Sequence, residues 1–503
     1  MFGRPTPPDR RPPGASTFED DIHLRMCARN GQEGLLLPSG RLALFLALVH
    51  WCRPGGRVLM APVNDDVILF VVLAAGLRPV FAPVDPRRGS MLPDAVPEET
   101  WRTLGGVITT NLYGVPDPAP ELRERCLRGG IPLIEDAAHA LQSTVGGRPV
   151  GCHGDAAAFS LSKHAGARSG GYLAVRDTAH LPALRRAAET LLLPPRAHRQ
   201  ALLAALPVAR DLVVRARLVR QAWQAKISLG LDPRGSAYRM PPRPDELRAA
   251  LAAISAAHAC AHAAVGPGNA AAQGGAGRGG AELRAAVARE ALAAMDPWTR
   301  VDLADYRMRH GTLVRRGLSR RLAGAEAARS RRLDGVRRLL DHPAVAPGLR
   351  DHPPQPLFRV PLLVRDRDRL VSGLLKAGIA TGYLYDPPLD DYAGPEFVDP
   401  SPAPEAARWF ARHVLPVDPL EAARALAVLD RLGAQPAAPP TDAAPPIGAG
   451  QPTGAVPPTG TPVDTAVGTP DTARPRPAAA VPAPVAPHPE PTVRTEPTVA
   501  SGG

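Results

Sequence analysis

Apolar positions along this chain fall into windows of distinct period. In "RLALFLALVHW" and "NDDVILFVVLAAG" they run nearly all the way round a 3.6-residue repeat, which predicts helices buried on every side, the second ending at Gly76. "VLMAPV", "PVFAPV", "GGVITTNLYG" and "IPLIEDA" are shorter and bounded by turn residues, which predicts buried strands. The intervening "APELRERCLRGG" mixes charge with apolar spacing and predicts an amphipathic helix. Alternation of strand and helix over residues 35–175 implies a mainly parallel sheet with helices on both faces, a three-layer α/β domain.

Downstream the pattern changes. Residues 178–226, with "RQALLAALPVARDLVVRARLVRQAWQAK", predict helices with basic outer faces, broken at the prolines, that pack on their own domain or on a twin subunit. "AAVGPGNAAAQGGAGRGGAE" predicts a flexible insertion. Helical "ELRAAVAREALAAM" followed by "LFRVPLLV" and "PEAARWFARHVLPVDPLEAARALAVLDRL" predicts a smaller α+β domain. From Ala434 the chain has no leucine and no aromatic residue, so it cannot bury enough apolar surface to offset its ordering entropy. The expected organisation is a flexible N-terminus (1–15), a large domain (16–260, with 178–234 helical), an insertion (261–282), a small domain (283–433) and a disordered tail (434–503).

Composition narrows the classes. The 503 residues are 45% apolar, enough for one large or two medium cores. Of 60 basic residues only Lys163, Lys226 and Lys376 are lysines, and the formal net charge is +12. The arginines are dispersed along helices and aromatics make up 4%, so a nucleic-acid binder with a stacking platform is the weaker alternative. Five scattered cysteines without a CxxC pair predict no metal site and read as reduced thiols of a cytoplasmic protein. The N-terminus lacks the apolar core of a signal peptide, and no apolar run approaches the roughly 18 residues of a membrane span, so no transmembrane segment is expected.

Three stretches carry candidate chemistry. "LPSGRLAL" places Ser39, Gly40 and Arg41 at a helix start, where backbone N–H groups and the helix dipole favour a phosphate, although Ser-Gly also serves as a plain N-cap. "IPLIEDAAHA" ends a strand in Glu135-Asp136; an acid at the carboxyl end of such a sheet needs a cationic partner, such as a protonated pyridine nitrogen, or else caps the following turn. "FSLSKHAGARSGG" matches the S-x-x-K of serine acyl enzymes, yet the S-D-N and K-T-G companions are missing. A lysine that instead forms an imine needs a constrained, desolvated loop, and arginine cannot replace it because a guanidinium stays protonated.

Read in order, "PSGRLALFLAL", "PGGRVLMAPV", "GLRPVFAPVD", "NLYG", "IEDAAHAL", "GRPVGCHGDAAAFSLSKHAGARSGGYLAV", "GSAYRM" and "GIATGYLYDPPL" resemble the DegT/StrS-type sugar aminotransferases. The resemblance covers about residues 30–177, 235–260 and 283–432, and implies aminotransferase fold type I, like aspartate aminotransferase, with pyridoxal 5′-phosphate (PLP) as cofactor. By position, Lys163 matches the Schiff-base lysine, Asp136 the partner of the pyridinium nitrogen, and His139 a residue beside the ring's phenolic oxygen; Ser160 and Ser39-Gly40-Arg41 match phosphate-binding positions. The implied protein is a homodimer of sugar biosynthesis in secondary metabolism that moves an amino group from an amino-acid donor, glutamate first, to a keto sugar that is in many relatives nucleotide-linked. A PLP-binding but non-transaminating partner or regulatory protein is the alternative.

Departures from the family are specific. Two residues are missing between Ser160 and Lys163, Ala237 stands where the family commonly has an asparagine that reaches the partner's phosphate, and the segment after "PVNDDV" lacks the aromatic the family often places there, which leaves the ring-stacking residue unassigned. Arg41 is the expected substitute for the missing phosphate contact.

Overall fold

The computed structural model describes residues 17–216, 218–229, 234, 237–265, 278–301 and 305–440. A seven-stranded sheet forms its centre: β1 (Gly34–Leu37), β2 (Arg57–Met60), β3 (Arg78–Phe81), β4 (Leu104–Thr109), β5 (Leu133–Asp136), β8 (Ala156–Ser160) and β9 (Gly171–Val175), in the order β1-β9-β8-β5-β4-β2-β3. The two-residue β6 (Thr144–Val145) and β7 (Arg148–Pro149) form a separate hairpin. Strands β3, β2, β4, β5 and β8 run parallel, and β9 is antiparallel to both of its neighbours. The carboxyl ends of β4, β5 and β8 therefore lie side by side, where an α/β sheet collects ligand-binding groups.

Both faces of the sheet are covered. On one, the helices Gly40–Trp51 and Asp66–Ala74 are buried almost all round, with Leu42 to Leu48 and Phe70 in one core with Met295 and Trp298. On the other, the helix Thr17–Asn30 brings Ile22 and Met26 against Phe159 and Tyr172, joined by Leu318 and Leu322. A second layer lies toward the C-terminus, where β10 (Val360–Leu363) and β11 (Val414–Val417) pair antiparallel under the helices Arg329–Leu340, Arg367–Lys376 and Ala422–Arg431.

The structure departs from the sequence pattern in four places. The helix Ala197–Arg215 runs unbroken through Pro207, because Leu203 one turn earlier is buried against Met308 and Val314 and holds the segment despite the missing N–H. The expected insertion is helical on both flanks: Pro244–Val265 and Arg278–Ala294 pack on each other, and only 266–277 lie outside the described residues. The helix Arg278–Ala294, expected to open the small domain, instead buries Ala288, Ala291 and Leu292 in the large core. The tail begins later than Ala434, since Arg365 N–H donates to Gln435 O (3.1 Å) and Ala437 N–H to Leu363 O (2.9 Å), extending the small sheet. The expected flexible N-terminus and most of the expected tail lie outside the described residues.

Close backbone approach fixes the geometry at the strand ends. A Cβ on Gly171 would stand under 3.0 Å from Ser39 C and O and Gly40 N. Gly171→Ala is expected to destabilise the chain by about 3 kcal/mol. Gly317→Ala, in open space on the helix Thr312–Ala327, is expected to be neutral or up to about 1 kcal/mol stabilising. Denaturant unfolding of the two variants checks the contrast.

Candidate functional site

Three chain segments meet beside β8. Leu161 N–H donates to Gly170 O (3.0 Å), and Gly170 N–H donates to Pro38 O (2.7 Å), tying the turn after Ser160 to the start of the helix Gly40–Trp51. Gly170 adopts φ +118°, a conformation that favours glycine. This stitching places the short helix Leu161–Ala165, and with it Lys163, at the carboxyl end of the sheet.

Lys163 meets His139 there. Its Nζ lies 2.8 Å from His139 Nε2 and 5.4 Å from the Tyr383 ring centre. The proton arrangement follows from the other side of the imidazole: Tyr113 N–H donates to His139 Nδ1 (3.2 Å), so Nδ1 carries a lone pair. Burial, reinforced by Lys163, holds His139 well below the ordinary histidine range, and the neutral ring keeps its one proton on Nε2. Nε2 is thus the ring atom turned to Lys163 Nζ, at hydrogen-bond distance. His164, pushed down to about 3 by burial, donates its own Nε2–H to His139 O (2.8 Å) and secures the segment from behind.

Asp136 ends β5, next to β8 in the sheet. One carboxyl oxygen accepts from Ala138 N–H (2.9 Å), so the turn-capping role is realised. Burial still outweighs that bond and the pull of Lys163, pushing the carboxyl up to about 6. A buried carboxylate in this state is an incomplete ion pair, and a ring N–H⁺ would complete it. Glu135, its sequence neighbour, is fully used by the fold: it accepts from the N–H groups of Gly151 (2.8 Å), His153 (2.7 Å) and Gly154 (2.6 Å).

The expected phosphate positions divide. Ser39, Gly40 and Ser160 come together, since a Cβ on Gly40 would lie 3.1 Å from Ser160 Cβ. Ser39 Oγ accepts from Leu42 N–H (3.2 Å) as the helix cap and donates to Tyr306 O (3.1 Å), and Ser160 Oγ bonds Ser162 Oγ at 2.9 Å. Arg41 does not take the substitute role in this arrangement: its guanidinium donates to Thr299 O and lies over the Tyr306 ring. The residues present thus fit PLP at the ring nitrogen, the aldehyde carbon and a helix start.

Several site residues escaped the sequence pattern. Tyr113 aligns His139 through its backbone and, at φ +60°, donates its hydroxyl to Tyr383 O (2.7 Å). Phe358 stacks on His139 with ring centres 5.0 Å apart. Just before the segment that lacks the family's stacking aromatic, Asp65 and Asp66 are bound to Arg234, and Asp66 also accepts from Met240 N–H (2.8 Å). Burial opposes ionisation of Asp65, but Arg234 overrides it and holds the carboxyl well below the usual range; burial and Asp65 raise Asp66. "NLYG" was a usable signal for Tyr113, while the Arg234 pairing joins residues too far apart in sequence to be read.

The raised Asp136 carboxyl has a thermodynamic consequence. Its folded value lies above the ordinary 3.8, so the folded state holds the proton where the unfolded state has lost it, and stability falls as pH rises from about 4 to 6. Above that window the cost is about 3 kcal/mol. In cofactor-free protein, Asp136→Asn is expected to raise stability by about that amount at pH 8 and to change little at pH 3.5. Thermal unfolding across pH checks it; parallel curves for the two proteins would refute the assignment.

Comparison with known proteins agrees with this geometry. Residues 28–187 match the DegT/DnrJ/EryC1/StrS aminotransferase family. Among curated relatives, a dTDP-4-dehydro-2,3,6-trideoxy-D-glucose 4-aminotransferase of Saccharopolyspora spinosa is 31% identical over 152 residues, 30% of this chain and 39% of that protein. A UDP-N-acetyl-3-dehydro-alpha-D-glucosamine 3-aminotransferase of Acidithiobacillus ferrooxidans is 32% identical over 151 residues, 29% of this chain and 41% of that protein. The chain therefore spans about two fifths of the length of these relatives in the matched region. A solved DegT DnrJ EryC1 StrS aminotransferase from Brucella abortus superposes with a TM-score of 0.53 at 16% identity, over 83% of this chain and 90% of that one, a likeness of fold. The α/β architecture is shared with that solved structure, and the segment 28–187 is similar to the DegT/DnrJ/EryC1/StrS aminotransferase family.

Proposed function

We propose that this chain is a PLP-dependent aminotransferase that moves an amino group from an amino acid, glutamate or glutamine, to a keto sugar, nucleotide-linked as in the relatives' names. The observation that carries the reading is the contact of Lys163 Nζ with His139 Nε2 (2.8 Å), at the end of a strand adjacent to the one that ends in Asp136. When bound, PLP supplies an aldehyde carbon and an electron-withdrawing ring. Asp136 would pair with the ring nitrogen and keep its proton in place, and Ser39, Gly40 and Ser160 would hold the phosphate. Lys163 Nζ would accept the proton from the donor's α-carbon and deliver it to the cofactor's aldehyde carbon, on the far side of the amine nitrogen. His139 orients that amine and, through Tyr113 and Phe358, is itself held in one tautomer and plane.

The chain works as a homodimer in the cytoplasm on this reading; five cysteines without a disulfide suit a reducing compartment. No helix among the described residues is long and apolar enough to cross a membrane.

The test is a single-turnover assay of the full chain with PLP and L-glutamate or L-glutamine. Stoichiometric release of the 2-oxo acid is expected, slowed about 10³-fold in Lys163→Ala. PLP binding without 2-oxo acid would favour the non-transaminating alternative, which the missing asparagine at Ala237 would then explain.

A further inference from the structure

A cavity of about 790 Å³ opens on the other side of the segment that carries Lys163. Its wall includes His164 to Ser169 from that segment, the helix Ala197–Arg215, and the facing helices Thr312–Ala327 and Arg329–Leu340. Lys163, Asp136 and Ser39 are not part of the wall, so this is a second site. The volume lies within the range of small-molecule pockets.

The charge in the wall is one-sided. Arg168, Arg215, Arg320 and Arg331 line it without a hydrogen-bond or ion-pair partner among the described residues. Two further arginines are already occupied: Arg321 pairs with Asp211 (2.7 Å), and Arg332 with Asp418 (3.3 Å) and the Phe358 carbonyl (3.0 Å). Asp211 is the one carboxylate in the wall and is spent on Arg321. Four like-charged side chains lining one concavity raise its positive potential, which an anion of high charge would offset. Guanidinium forks match phosphate oxygens in bidentate geometry.

The rest of the wall is aliphatic. Leu203, Pro207, Val208 and Leu318 contribute to it, and Val208 is 56% exposed at the surface. The occupant therefore combines an apolar or sugar-like body with adjoining phosphates. The absence of Phe, Tyr and Trp from this wall, together with its concave shape, sets it apart from a nucleic-acid platform.

We propose that this cavity binds an organic diphosphate. The inference stands on the arginine wall alone and does not rest on the aminotransferase reading. Because His164 lies in the wall and donates to His139 O, an occupant touches the residue that backs the Lys163 centre.

The test is calorimetric titration of the full-length chain with UDP, farnesyl diphosphate and inorganic pyrophosphate. One equivalent of UDP or farnesyl diphosphate is expected to bind at least tenfold tighter than pyrophosphate, and the preferred one identifies the body as nucleoside or prenyl. Arg320→Gln/Arg331→Gln, both at exposed positions, is expected to weaken that binding about 100-fold with an unchanged melting temperature, while Arg128→Gln and Lys163→Ala leave it intact. No saturable binding, equal affinity for all three compounds, binding unaffected by the double substitution, or binding lost in Lys163→Ala would each overturn the proposal.

Discussion

The site depends on how closely three backbones approach at the carboxyl end of the sheet. Pro38, Ser39 and Gly40 lie directly against Gly170 and Gly171, while Leu161 is bonded back to Gly170. Side chains at the two glycines would force these segments apart, since a Cβ on Gly170 would also meet Leu318 under 3.0 Å away. With the segments locked, five residues of helix suffice to carry Lys163 from β8 to His139. The two residues missing between Ser160 and Lys163 relative to the family shorten this path, and the Ser160 to Ser162 hydroxyl bond is the local contact of the contracted turn.

Electrostatics then separates two kinds of buried acid. Glu135 is surrounded by three backbone donors and acts as a structural anchor, whereas Asp136, one residue on, has a single backbone donor and remains costly to ionise. A folded chain carries that cost where a ligand repays it, the usual trade between stability and function. Lys163 is the counterpart: in a chain with 57 arginines and three lysines, the position beside His139 requires a nitrogen that can exist as a free amine, which arginine does not provide. His139 stands beside this lysine, with Nδ1 accepting from Tyr113 N–H and Nε2 at 2.8 Å from the Lys163 nitrogen.

Much of this was legible in the residues. Short apolar runs ending in Gly, Pro or Asp mark the strands, and "IEDAAHAL" with "FSLSKHAGARSGG" brings Asp136, His139 and Lys163 together, as the geometry does. What escaped was decided by tertiary contact. Pro207 continues a helix because its neighbours on the same face are buried, and the sequence flanking 266–277, with Gly279 and Gly280 on its far side, is helical because two helices pack on each other. Residues 435–437 look like tail by composition, yet use only backbone groups to join the small sheet. Asp65, Asp66 and Arg234 form a cluster across about 170 positions of sequence, a separation that no local pattern bridges.

The central claim is that Lys163 is the amine of this centre. Incubation of the full chain with PLP, reduction with borohydride and peptide mass spectrometry test it without reference to any substrate. The account predicts one pyridoxyl group per chain, on the peptide that contains Lys163. Modification at Lys226 or Lys376 instead, or an unlabelled Lys163 peptide at saturating PLP, would contradict it.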